Sequence, residues 1–155
     1  MSALKYDESV RSLIIATEIA INSFKIYPPK NWDDTAINDV ISIYKEFKIS
    51  IENAKPEYRN LKSLKYKIDD VFTYFQEGHG KCVEEFWKEI KLQNLPYKRE
   101  NKMVKILKRK KINTIQEYDF VIDVIVPYQQ EGLITDDDVV LLNELIGQFE
   151  MRKKK

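Results

Sequence analysis

The sequence predicts an all-α protein, a bundle of about six or seven helices packed mostly as antiparallel neighbours. Apolar residues recur at three- and four-residue spacing along most of the chain, and Asn-Gly and Asp-Gly hairpin signals are absent. Proline, glycine and capping residues interrupt the periodic runs at helical intervals.

Val10, Leu13, Ile14, Thr17, Ile21 and Phe24 define a first helix from about residue 8 to 26, ended by Pro28 and Pro29. Ile37, Val40, Ile41, Tyr44 and Phe47 define a second from about 33 to 53, with Asn31 and Asp33 as candidate caps and Pro56 beyond its end. Leu64, Ile68, Val71, Phe72 and Phe75 give a third apolar face, and Ser63 is the expected start of that helix. Gly78 is expected to end it in the left-handed region, and Gly80 to open a fourth helix carrying Val83, Phe86, Trp87 and Ile90.

Pro96 suits the first position of a fifth helix, short and very basic, through "YKRENKMVKILKRKK". Thr114 and Glu117 form a capping box for the sixth, which Pro127 is expected to kink or shorten. Gly132 is the expected left-handed cap of the following turn, whose "EGLIT" resembles the connection of an ordinary helical hairpin. Thr135 opens the seventh helix, whose inner face is Leu142, Leu145, Ile146 and Phe149. One domain is expected over residues 1–152, with a frayed basic tail at 153–155.

At 155 residues the chain is long enough to bury roughly 70% of its unfolded surface without a disulfide or a metal. An apolar fraction of 43% with a net charge of +1 excludes an intrinsically disordered chain. The lone Cys82 has no internal partner, and no apolar run is long enough for a signal core or a transmembrane segment. A cytoplasmic location is the expectation from these signals.

Rare residues gather in "FQEGHGKCVEEFW", which holds His79, Cys82 and two of the four glycines. Zinc needs about four ligands, and this pair supplies two of the soft ones, so no metal or cofactor is expected. Cys82 in the first turn of a helix is a possible reactive thiol, because free amides there favour an anion, while its apolar neighbours favour an inert buried side chain. The glycines fit no phosphate loop, since neither glycine pattern follows a strand. Asp33 with Asp34, Asp69 with Asp70, and Asp136 to Asp138 are carboxylate pairs or runs that can serve acid–base work, but two of the three stand at helix starts, where the dipole accounts for them.

Residues 98–111 are the sharpest charge feature. Eight cations against Glu100 give this segment +7, which leaves −6 for the rest of a chain that totals +1. As a helix it places Lys98, Lys102, Lys105 and Arg109 in one stripe, with Met103, Val104, Ile106 and Leu107 opposite. The stripe is the candidate partner-binding surface, for an acidic protein or for phosphates. It is equally readable as a solvated face. Sequence-specific DNA reading by the sixth helix is excluded, because Glu117, Asp119 and Asp123 would be repelled by phosphate.

No catalytic constellation stands out. The expected function is a small non-enzymatic protein-interaction module, such as an adaptor, an antitoxin or a toxin-immunity protein, with another protein as partner. Its alternatives are a nucleic-acid-associated protein using the basic helix 98–111, and an enzyme using Cys82 or a carboxylate cluster. Tyr27, Trp32, Tyr58, Tyr97 and Tyr128 fall near helix ends, where they serve either as surface anchors or as packing. The oligomeric state has no signal in the sequence.

Overall fold

The computed structural model describes residues 2–153, and within them the chain is all-helical, with no strand. Seven α-helices follow one another: α1 Ser2–Ile26, α2 Asp34–Glu52, α3 Leu61–Glu77, α4 Lys81–Leu92, α5 Val104–Arg109, α6 Ile115–Gln130 and α7 Asp136–Lys153. A single 3-10 turn, Pro56–Tyr58, precedes α3. The all-α class and the number of helices expected from periodicity are met. No helix among the described residues is long and apolar enough to cross a membrane.

The chain divides into two compact units, one ending at Arg99 and one beginning at Glu100. In the first, α1 packs against α2, α3 and α4. It is longer than its sequence signal because the apolar spacing reaches back from Val10 to a buried Tyr6. Close approach on several sides is met by Ala16 and Ala20, both fully buried. Thr17 and Ser23 are also buried there, and their hydroxyls donate to the carbonyls of Leu13 and Ile19 at 2.7 and 2.9 Å. Polar side chains satisfied within their own helix can be enclosed at little cost.

Asp33 caps α2 by accepting from the Ala36 amide, as the sequence suggests, and Asn31 takes no part. Asn60, not Ser63, caps α3: its side chain accepts from the Ser63 amide, so the helix begins two residues earlier than expected. Asn94 ends α4 with φ 55, and the Leu95 amide closes back on the Ile90 carbonyl at 3.1 Å. That closure directs the chain away from a helix at Pro96. The following residues form no helix, with Leu95 and Tyr97 packed on the first core and Tyr97 lying 4.5 Å from the Phe72 ring. Burying residues two apart on one side runs against helical spacing and overrides the helix expected there.

The second unit has its own cluster of buried residues from α5, α6, α7 and their connections, centred on Met103, Ile112, Tyr128 and Leu142. Thr114 accepts from the Glu117 amide as the capping box requires. Pro127 does not stop α6, which runs on to Gln130. The carbonyl that loses its donor belongs to Asp123, an exposed residue, where the loss is least costly. Gly132 has φ 76, and the amides of Leu133 and Gly132 return to the carbonyls of Tyr128 and Gln129, a Schellman closure. Thr135 and Asp138 cap α7 reciprocally at 2.9 and 3.1 Å, with aspartate where a capping box usually has glutamate. α7 continues through Lys153, the first residue of the tail expected to fray, and residues 154 and 155 lie outside the described residues.

Gly132→Ala forces a side chain into the left-handed region and is expected to cost about 1 kcal/mol in urea denaturation. A second outcome concerns pH. Tyr44 is buried and its hydroxyl donates to the Val71 carbonyl at 2.8 Å. Burial raises its pKa well above 10.0, and raises Tyr74, Tyr97 and Cys82 each to about 12. These groups stay protonated in the folded state. Their contribution to stability is whole below about pH 9, the ordinary thiol value, and is lost as pH rises towards 12. Tyr44→Phe is expected to lower stability by about 1 kcal/mol at pH 8, and the gap to wild type is expected to narrow at higher pH. Denaturation curves that stay parallel from pH 8 to about pH 11 would contradict the burial argument.

Candidate functional site

The "GHGKC" stretch forms the turn between α3 and α4. Gly78 sits at the end of α3 with φ −82, so the left-handed conformation expected there is not used. Its requirement is space, because a Cβ would lie 2.7 Å from the Tyr74 carbonyl oxygen. Gly80 has φ 104 and opens α4, which fits the expected role of a residue free of steric penalty. The Arg99 guanidinium donates to the Gly78 carbonyl at 2.8 Å, and Gln76 donates to the Lys98 carbonyl at 3.0 Å, so the segment after α4 braces this turn.

Cys82 is 3% exposed, and burial pushes its thiol to about 12. The reactive thiol considered from sequence therefore gives way to its alternative, an inert thiol held among Val83, Phe86 and the other core residues. A helix start favours an anion only if the side chain reaches water, and this one does not. His79 is exposed beside it. Among the described residues no group of three or more His, Cys, Asp or Glu side chains comes together to hold a metal ion. The aspartates at helix starts act as caps or lie in first turns, while Asp69 and Asp70 are exposed on α3.

Around the turn lies a cleft of about 650 Å³, lined by residues 28–32, Tyr74 and residues 78–82. Trp32 is stacked on Phe24 at 5.9 Å and lies 5.6 Å from Tyr74. Lys81 stands over the Tyr27 ring at 5.4 Å.

The four cations singled out in the basic segment are not one helical stripe. Lys98 and Lys102 precede α5, which begins only at Val104, so Lys105 and Arg109 alone share it. Val104, assigned to the apolar side, is exposed, while Met103 and Ile106 are buried as expected. Arg109 is engaged: its guanidinium donates to the Glu117 carboxylate and to the Lys111 carbonyl. Arg109 and the Asn113 amide hold the Glu117 carboxyl below its ordinary range. Lys105, Lys108, Lys110 and Lys111 are exposed.

A second basic tract was passed over in the sequence. Residues 55–67, "KPEYRNLKSLKYK", hold five cations against Glu57. Tyr58 and Tyr66 are 55% and 68% exposed there, and Leu61 is exposed with them. Lys67 and Arg59 donate to the carbonyls of Ser50 and Ala54, which fastens the segment to the end of α2. The signal was present as tyrosine and lysine four residues apart at Lys62 and Tyr66, hidden because Tyr66 also fits an apolar helical pattern. Of the aromatic residues considered as anchors, Tyr58 is exposed, Tyr128 is buried, and Tyr27, Trp32 and Tyr97 pack partly against the first core.

Comparison with known proteins gives no match: no family model, no curated protein and no solved structure is similar to this chain.

Cys82 is expected to react with a thiol reagent at pH 8 about a hundredfold or more slowly in the folded chain than in denaturant, since both access and thiolate fraction fall with burial. Equal rates in the two states would show that the thiol is open to solvent.

Proposed function

We propose that the chain is a non-enzymatic protein-interaction module, of the adaptor, antitoxin or toxin-immunity kind, whose partner presents an acidic surface. The observation that carries this reading is the exposure of Tyr58 and Tyr66 among Lys55, Lys62 and Lys65. Tyrosine offers a large, stiff contact area with a polar tip, and such residues concentrate binding energy at interfaces. Neither ring packs against another ring among the described residues. The lysines add attraction to a partner of opposite charge and speed its approach.

Asp69 and Asp70 follow Tyr66 by three and four residues, hence on the same exposed side of α3. Carboxylates beside the anchor suit a partner surface that is acidic where it meets the lysines and mixed in charge around them, and they oppose a phosphate backbone, which is anionic throughout. Phosphate contact by the 98–111 segment is the second reading, favoured by the exposure of Lys105, Lys108, Lys110 and Lys111. Arg109 contributes little to it, being committed to Glu117 and Lys111. Within the first reading the location is the cytoplasm, on the support of a lone cysteine kept as a thiol.

Affinity capture of the tagged full chain from its native lysate tests both. An acidic protein is expected to be recovered after nuclease treatment, with recovery about tenfold lower for Tyr58→Ala with Tyr66→Ala and for Lys62→Glu with Lys65→Glu. These positions are exposed, so circular dichroism of the variants is expected to match wild type. Equal recovery by every variant would sink the reading. Loss of the captured material on nuclease treatment, with sensitivity to Lys105→Glu and Lys108→Glu instead, would replace it with phosphate contact.

A further inference from the structure

We propose that the cleft beside the 78–82 turn binds a small organic anion, an acidic head group carried on a planar apolar body. This inference is independent of the surface formed by residues 55–67.

Its first support is charge. Lys30, Lys81 and the His79 imidazole line the cleft, and no carboxylate does. In a chain with 25 acidic residues that composition is selective, and other concavities differ. Glu85 and Glu89 line the one between α1 and α4, and Glu18 and Glu52 face Lys45 and Lys48 in the one between α1 and α2. Neither Lys30 nor Lys81 has a carboxylate partner among the described residues. The contact of Lys81 with the Tyr27 ring places its ammonium without neutralising it. Two uncompensated cations at one concavity favour an anion there.

Shape supplies the second support. A volume of about 650 Å³ lies within the range of roughly 300–1,000 Å³ typical of small-molecule sites. The apolar walls are flat and fixed in advance. Trp32 is held by Phe24 with the rings 14° from parallel, and Tyr74 lies within 5.5 Å of Phe24 and 5.2 Å of Phe75. Pro28 and Pro29 stiffen the segment that carries Trp32. Walls held by core packing lose little freedom when a ligand enters.

The turn itself is the third. Gly80 has a backbone that disfavours a side chain and open space where a Cβ would stand, so this rim position is bare, whereas the space beside Gly78 is filled by Tyr74. A planar body can approach the backbone there while its head group meets Lys30 and Lys81.

The test is titration of the full ¹⁵N-labelled chain with phenyl phosphate, benzoate, inorganic phosphate and benzyl alcohol. The Gly78 and Gly80 amides and the Trp32 indole are expected to shift together and saturably with phenyl phosphate or benzoate, the tighter of the two identifying the head group. Inorganic phosphate and benzyl alcohol, each lacking one half of the ligand, are expected to bind about tenfold or more weakly. Reversal at the exposed Lys30 and Lys81, as Lys30→Glu with Lys81→Glu, is expected to weaken phenyl phosphate about tenfold per lysine. The neutral pair Lys30→Gln with Lys81→Gln serves if reversal disturbs the fold. Absence of saturable shifts at these three signals, unchanged affinity in both variant pairs, or benzyl alcohol binding as well as benzoate would each overturn the proposal.

Discussion

Much of the first unit depends on one aromatic contact set, centred on Phe24 and Phe75. Phe75 of α3 stacks on Phe86 of α4 at a centroid distance of 3.7 Å, and Phe24 of α1 meets Trp32, Tyr44, Tyr74 and Phe75. Four helices and the proline-containing link after α1 are thereby tied through two rings. Aromatic groups bury large areas and prefer defined offsets and angles, so this arrangement fixes orientation as well as stability. Trp87 extends it by donating its indole N–H to the Phe75 carbonyl at 2.8 Å, which satisfies a polar group within the packed region.

The positions of the two connections follow from that packing. Trp32 is the anchor of the link between α1 and α2, and Tyr74 leads directly into the glycine turn. Bringing these rings to 5.6 Å also brings residues 28–32 beside residues 78–82, and the cleft between them is a consequence. Its lysines stand outside that packing: Lys30 and Lys81 are exposed and belong to neither ring cluster nor core. Charge that the fold does not require is the part of a surface most open to being set by a ligand.

Legibility in the sequence followed the range of the interaction involved. Local devices were readable: Asp33, Thr114 and Thr135 as caps, Gly132 as a left-handed closure, and Val83, Phe86 and Ile90 as an inner face. These depend on neighbours within one or two helical turns. What was not readable depends on contacts remote in sequence. A helix from Pro96 was plausible until Tyr97 was seen against Phe72 and Arg99 against Gly78, in a segment that forms no helix. Periodicity identified most of the residues that face a core, Val104 excepted, but nothing in it assigns α1 to α4 to one cluster and α5 to α7 to another. Gly78 was assigned correctly to a turn for the wrong reason, since a close approach to a carbonyl leaves no trace in residue order.

Charge density proved a poorer guide to function than the state of each charge. The 98–111 segment has the larger excess, yet its one helical arginine is neutralised by Glu117 and serves to join α5 to the start of α6. Lysines crowded on a six-residue helix repel one another, and Lys110 closes that helix at φ 58, a conformation uncommon outside glycine and asparagine. Such a segment is short for physical reasons internal to it. The 55–67 segment has a smaller excess but combines cations with exposed tyrosines, Tyr58 in the 3-10 turn and Tyr66 on α3, and is fastened to the end of α2 through Arg59 and Lys67. Partner recognition needs a rigid, desolvable anchor as well as attraction at a distance, and only the latter segment provides both.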